Sequence, residues 1–249
     1  MSTLVIVRHG ESTWNQENLF TGWHDVPLTA KGADEARKAG QAMRDAGLWF
    51  DIAHTSVLER AVVTANLALT ELGQVWLPVN RHWRLNERHY GALQGLDKAQ
   101  TAAKHGEAQL KLWRRSYDVP PPPVGTDSPE HPVNDPRYRL LAPDQLPATE
   151  CLKDVVARVL PYWYDVIVPQ LGAGLTVVVV AHGNSLRALL KHLEGVSDDA
   201  IAEVNIPTAV PRVYELDRHF QLASPPRYLG DAAEIAAKEA AVRDQAKRK

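Results

Sequence analysis

Two stretches, Val5-Ile-Val-Arg-His9-Gly-Glu-Ser12 and Val178-Val-Val-Ala-His182-Gly-Asn-Ser185, follow one plan: an apolar β-branched run, one residue, then His-Gly-x-Ser. A short, fully apolar run reads as a strand buried on both faces, as in parallel sheets. Residues 4–7 and 175–181, the latter with four consecutive valines, are the clearest cases; 51–55 and 212–216 are two more. Helical patterns lie between them. Thr29 caps one that runs to about 45, with Ala36, Ala39, Ala42 and Met43 on one face. Another begins at Ser56 or Val57 and ends near Gly73, and a third spans 149 to about 170, where Pro161 predicts a kink or break. A fourth, 184–193, is closed by Gly195. Strands alternating with helices indicate an α/β fold. Ligands in such sheets bind beyond the carboxyl ends of strands. His9 and His182 are therefore expected on one rim, together if their strands are neighbours.

Composition narrows the function. The 249 residues carry a net charge of −2, which offers no basic field for nucleic acid and no polybasic face for a membrane. A small anionic ligand in a locally positive pocket remains compatible. Cys151 is the only cysteine, so no intrachain disulfide is expected; its place at a helix start suggests a structural role, and a reducing cytoplasm fits. The short apolar N-terminal run and the lack of an eighteen-residue apolar stretch predict a cytosolic protein. Residues 119–147 hold a dense series of prolines and read as an excursion outside the core, either a binding wall or a passive insertion. The last twenty residues look helical without an apolar stripe, a frayed tail or a mobile cap. The expected organisation is one domain over 1–230 with a tail over 231–249.

The residue types suggest phosphoryl transfer. Neutral imidazole is a nucleophile towards phosphorus when its second nitrogen is pinned as a donor. His9 stands at a strand end, Gly10 lets backbone approach an anion, and Arg8 offers a planar fork to phosphate. His182 would place a second imidazole beside a helix N-terminus that favours anions; a buried structural histidine is the alternative. Arg60, Arg114 and Arg115 are cations at strand ends and loop edges, and read either as anion ligands or as solvated side chains. Glu87, in a loop dense with polar and aromatic groups, is the candidate proton donor and acceptor, with Glu11 as competitor. No Walker-type loop, His-Glu-x-x-His or complete dinucleotide fingerprint occurs, and no spacing demands a metal.

With these residues in view, the chain resembles the cofactor-dependent phosphoglycerate mutases of the histidine phosphatase superfamily, over residues 4 to about 230. The resemblance rests on Arg8-His-Gly-Glu-Ser-x-Trp-Asn15, Phe20-Thr-Gly-Trp23, Leu85-Asn-Glu-Arg-His-Tyr-Gly-Ala-Leu-Gln-Gly95, Trp113-Arg-Arg-Ser-Tyr117, His182-Gly-Asn-Ser-Leu-Arg187 and Asn205-Ile-Pro-Thr208. It implies a mostly parallel sheet with helices on both faces and exchange between 3-phosphoglycerate and 2-phosphoglycerate. A 2,3-bisphosphoglycerate molecule would prime the nucleophile, without a metal. By the same resemblance His9 is the phosphohistidine and Glu87 the proton donor and acceptor, while Arg8, Asn15, Arg60 and His182 hold the transferring group. Ser12, Thr21, Gly22, Arg88, His89, Tyr90, Lys98, Arg114, Arg115, Gly183 and Asn184 match the substrate-contacting blocks. Family members form dimers or tetramers. Ala209, where glycine often follows Asn-Ile-Pro-Thr, and Cys151, where serine is common, depart from the pattern and are expected to lie outside the chemistry. A phosphatase of the superfamily, in which water attacks the phosphohistidine, and a non-enzymatic phosphometabolite-binding protein are the competing readings.

Overall fold

The computed structural model describes residues 1–243. The first apolar run becomes β1 (Ser2–Arg8), followed by the single turn α1 (Thr13–Gln16) and by α2 (Ala30–Asp45). Thr29 caps α2 as expected, its hydroxyl accepting from Gly32 N at 3.0 Å. Next come β2 (Ile52–Thr55), α3 (Glu59–Leu72), β3 (Val79–Arg81), α4 (Lys98–His105) and α5 (Glu107–Arg115). The chain then forms α6 (Leu152–Tyr162), α7 (Val168–Gly172), β4 (Val177–Ala181) and α8 (Gly183–Glu194). It ends with β5 (Arg212–Leu216), β6 (Arg227–Tyr228) and α9 (Ala232–Arg243).

The strands form one six-stranded sheet in the order β3-β2-β4-β1-β5-β6. β1, β2, β3 and β4 are mutually parallel; at the other edge β5 runs antiparallel to β1, and β6 antiparallel to β5. β4 inserts between β1 and β2, with Val5 opposite Val178 and Arg8 opposite Ala181. Alternation along β1 and β4 builds two cores. Leu4, Ile6, Val177 and Val179 pack against α6 and α8, while Val5, Val7, Val178 and Val180 pack against α2 and α3. Each buried Val, Leu or Ile contributes roughly 1.5–3 kcal/mol relative to exposure, so helices are held on both faces. α2 and α3 cross closely at Gly40, where a Cβ would lie 2.3 Å from the Ala68 carbonyl oxygen.

Three segments depart from the sequence reading. The helix expected over 149–170 starts after Cys151, whose N–H and thiol both donate to Asp154 Oδ2. It runs through Pro161 without breaking and passes through a π-helical turn, Trp163–Ile167, before α7. Pro161 and Pro169 have no N–H to give, and one extra residue in the ladder between them absorbs the misfit. α3 begins later than expected, at Glu59: Leu58 is extended at its N-cap, and its N–H donates to Ser56 Oγ.

The proline-rich segment is packed into the fold, and residues 129–138 wall a separate pocket beside Trp23 and Asp25. It makes three 3₁₀ turns and buries His131, Pro132 and Tyr138. Tyr138 packs on Trp23 (centroids 4.8 Å apart), and its hydroxyl accepts from Asn86 Nδ2 at 2.8 Å. Arg137 pairs with Asp25 and Asp135, and the Pro122 carbonyl accepts from Ala92 N. The segment thus supports the loops at 20–25 and 85–90 from behind.

Candidate active site

Because β1, β2 and β4 are parallel neighbours, the residues that follow them emerge on one rim. His9 follows β1, Ser56 follows β2 and His182 follows β4. The echo seen in the sequence becomes a contact: the His9 and His182 rings lie with centroids 5.0 Å apart, tilted by 59°. His9 is 2 % exposed and its Nδ1 lies 2.7 Å from the Gly10 carbonyl oxygen. A carbonyl only accepts, so Nδ1 carries the proton and Nε2 is left bare. Burial, then Arg60 and Arg8, hold the His9 pKa well below the ordinary histidine value. The same forces, burial first and then Arg60, act on His182. Both rings are neutral at physiological pH.

Glu87 stands opposite. Its Oε1 accepts from Arg88 N (2.8 Å), Asn184 N (3.0 Å) and Asn184 Nδ2 (2.9 Å), and Oε2 takes none of these bonds. The loop that carries it is held rigidly. Arg158, buried beneath, donates to the carbonyls of Arg84 (2.6 Å), Asn86 (3.0 Å) and Glu87 (2.9 Å), and to both oxygens of Glu150. Trp23 Nε1 also donates to the Glu87 carbonyl.

The cleft between these groups has two lobes with empty volumes of about 440 and 430 Å³, sharing Arg8, Glu87, Tyr90 and Arg114. One lobe adds His9, Asn15, Thr21, Gly22, Arg60 and Lys98; the other adds Arg115, Gly183, Asn184 and Arg187. None of Arg8, Arg60, Arg114, Arg115 or Arg187 forms an ion pair with a described carboxylate. The buried Nε atoms of Arg8, Arg60 and Arg187 have no hydrogen-bond partner. Burial and mutual repulsion lower the Arg114 pKa to about 10 and that of Arg187 to about 9. Burying a cation is costly unless a counter-charge compensates it, so the cleft is electrostatically suited to an anion.

The sequence profile of the histidine phosphatase superfamily (branch 1) matches residues 4–222. The chain belongs to this superfamily. It is 61% identical over 220 residues to the 2,3-bisphosphoglycerate-dependent phosphoglycerate mutase of Thermobifida fusca, covering 88% of this chain and 89% of that one. Against the mutase of the same description from Nitratidesulfovibrio vulgaris it is 58% identical, covering 98% of each. Among solved structures, a mycobacterial glucosyl-3-phosphoglycerate phosphatase in complex with VO3 superposes with a TM-score of 0.67 at 25% identity, over 92% of this chain and 97% of that chain.

Within this superfamily member, most residues singled out from the sequence line the two lobes. His182 is fully buried and outside the lining of either lobe, with its ring against that of His9. Ser12, Arg88 and His89, expected among the substrate contacts, lie outside the lining. Ser12 accepts from Asn15 N and orients that residue. Arg88 donates to the Arg114 carbonyl and stacks over Tyr90 at 4.4 Å. His89 accepts from Gly91 N and contacts the Glu130 carbonyl. Glu11, the competitor to Glu87, pairs with Lys31 on the other side.

Ala209 is closer to the site than its sequence position suggested. It adopts a left-handed φ of 49°, the conformation that favours glycine, and its N–H donates to the Arg8 carbonyl. Arg187, Ser56 and the Arg158–Glu150 pair were not singled out. Only Arg187 had a local signal, lying one helical turn beyond Gly183 on the same face of α8. α9 brings Val242 to one lobe, with Lys238 donating to the Thr208 carbonyl. Residues 244–249 of the tail lie outside the described residues. No helix among the described residues is long and apolar enough to cross a membrane.

Proposed function

We propose that this protein interconverts 3-phosphoglycerate and 2-phosphoglycerate through a phosphohistidine at His9. The observation that carries the reading is His9, whose Nδ1 is pinned by the Gly10 carbonyl so that Nε2 is bare, in a cleft whose arginines lack carboxylate partners among the described residues. In the loading half, the P–O bond of the donor breaks as a P–Nε2 bond forms, and the leaving alkoxide takes a proton from Glu87 Oε2. In the return half, a glycerate hydroxyl attacks phosphorus, the P–N bond breaks and Glu87 takes the hydroxyl proton. Arg8, Arg60, Asn15 and His182 hold the transferring group and stabilise the charge spread over its oxygens. Thr21, Gly22, Tyr90, Lys98, Arg114, Arg115, Gly183 and Asn184 hold the glycerate and its second anionic group.

The donor set fits 2,3-bisphosphoglycerate as primer. Two anionic ends match two lobes, each lined by guanidinium groups that lack a carboxylate partner among the described residues. When bound, the primer supplies the phosphoryl group that loads His9. Water exclusion separates a mutase from a phosphatase, and the position of Val242 at one lobe supports closure by the C-terminal helix. A homodimer or tetramer in the cytoplasm belongs to the same reading.

The test follows 3-phosphoglycerate with and without the primer, measuring isomer formation against inorganic phosphate, alongside acid-labile labelling of the protein. Isomer formation that depends on primer and vanishes in His9→Ala is the expected result. Predominant phosphate release would make the protein a phosphatase. Labelling that survives His9→Ala would mean another nucleophile.

A further inference from the structure

The rim that carries the two histidines also carries a hydroxyl. Thr55 of β2 lies opposite Val180 of β4, so Ser56 emerges beside His182. Both residues are fully buried, and Ser56 Oγ lies 2.7 Å from His182 Nε2. Leu58 N donates to the same Oγ at 3.2 Å. His182 Nδ1 is buried with no partner at all.

A proton count separates the two possible arrangements. If Nε2–H donated to Ser56, the serine proton would have no acceptor and Nδ1 would be a bare, unsatisfied lone pair: two buried groups without partners. If the serine hydroxyl donates to Nε2 instead, both Ser56 and Nε2 are satisfied, and only an Nδ1–H remains. That single unpaired donor belongs to a ring in contact with the His9 ring. Burial and the neighbouring Arg60 oppose the imidazolium that would satisfy both sides at once.

We propose that Ser56 is a positioning residue that fixes His182 as its Nδ1–H tautomer, so that the ring presents a neutral donor to the transferring phosphoryl group. The inference rests on the phosphoryl-holding role read for His182, but its tautomer half is testable without catalysis. Neutral imidazole suits the task, because it donates one hydrogen bond without adding another cation to the crowded site. The hydroxyl acts through His182 and touches no reacting atom.

The experiment is ¹⁵N NMR of selectively labelled histidine in the wild-type protein and in Ser56→Ala, together with steady-state kinetics. Imidazole ¹⁵N shifts distinguish a protonated from a bare ring nitrogen. Wild-type His182, assigned by its loss in His182→Gln, is expected to show Nδ1 protonated and Nε2 bare. Ser56→Ala is expected to shift population to the Nε2–H form and to lower kcat on the order of 10- to 100-fold with little change in KM, by analogy with the loss of the orienting partner of a metal-binding histidine. Ser56→Thr, which keeps the hydroxyl, should restore the wild-type spectrum. Nε2–H in the wild-type spectrum overturns the proposal, and so does an unchanged Nδ1–H spectrum in Ser56→Ala. Full activity in His182→Gln would instead overturn the phosphoryl-holding role while leaving the tautomer assignment standing.

Discussion

Arg158→Met tests how the Glu87 loop is held. In the wild type the guanidinium makes two bonds to Glu150 at 2.6 and 3.0 Å and three to the carbonyls of Arg84, Asn86 and Glu87. Methionine fills similar volume but donates nothing. Glu150, 3 % exposed, would keep only the bond from His89 N, and the Glu87 carbonyl only that from Trp23. The carbonyls of Arg84 and Asn86 would lose this donor as well. Removing one partner of a buried pair costs about 3–5 kcal/mol, most of it the penalty for the charge left behind. This is a large part of a typical total of about 5–15 kcal/mol.

Urea unfolding followed by tryptophan fluorescence measures the loss, since Trp23 packs directly on this cluster. Glu150→Gln and the double variant complete a cycle. The double variant removes the orphaned charge, so a coupling of about 1–3 kcal/mol is expected rather than additivity. Activity should fall together with stability, because the same guanidinium orients the peptide that carries Glu87. An Arg158→Met loss under about 1 kcal/mol, or single effects that simply add, would refute the assignment of this pair as the support of the loop.

Gly10→Ala should be poorly tolerated, because the new Cβ would lie 2.2 Å from the Gly32 carbonyl oxygen, a backbone atom with nowhere to go; a loss of about 1–3 kcal/mol is expected from such overpacking, read from the urea midpoint. Gly183→Ala is the contrasting case: its Cβ would meet Arg8 and Glu87 only at 3.5 and 3.6 Å, so near-normal stability with reduced kcat/KM is expected. Stability should also fall in acid. His9 and His182 stay neutral in the fold because their pKa values are depressed, while the unfolded chain binds protons below about pH 6.5. Their contribution is complete above that pH and is lost as pH drops below it, at up to about 1.4 kcal/mol per pH unit for each group; His9→Gln should flatten the slope measured between pH 7.5 and 5.5, as two points chosen at roughly a unit on either side. Inorganic phosphate should raise the melting temperature by filling the cleft, by an amount equivalent to about 2.7 kcal/mol at a hundredfold excess over Kd, and Arg115→Ala should weaken the effect in a thermal-shift titration.

The amino-acid order alone determined the pieces whose signals are local. The valine runs marked β1 and β4, Thr29 and Gly195 marked helix ends, and the repeated His-Gly-x-Ser placed two imidazoles at strand ends. Periodicity, capping and strand length act over a few residues, so they can be read without knowing the neighbours. Tertiary structure alone decided the rest. β4 enters the sheet between β1 and β2, and only that insertion brings His9, His182 and Ser56 together from positions far apart in the chain. The edge strand β3, largely exposed, lacked an apolar pattern to announce it. Nothing in the local sequence marks Arg158 and Glu150, which only burial joins as a pair, and the prolines of 119–147 concealed a tyrosine that props up the Glu87 loop from behind. Partners of this kind are chosen by long-range packing, which joins side chains through space and leaves no period or spacing in the sequence.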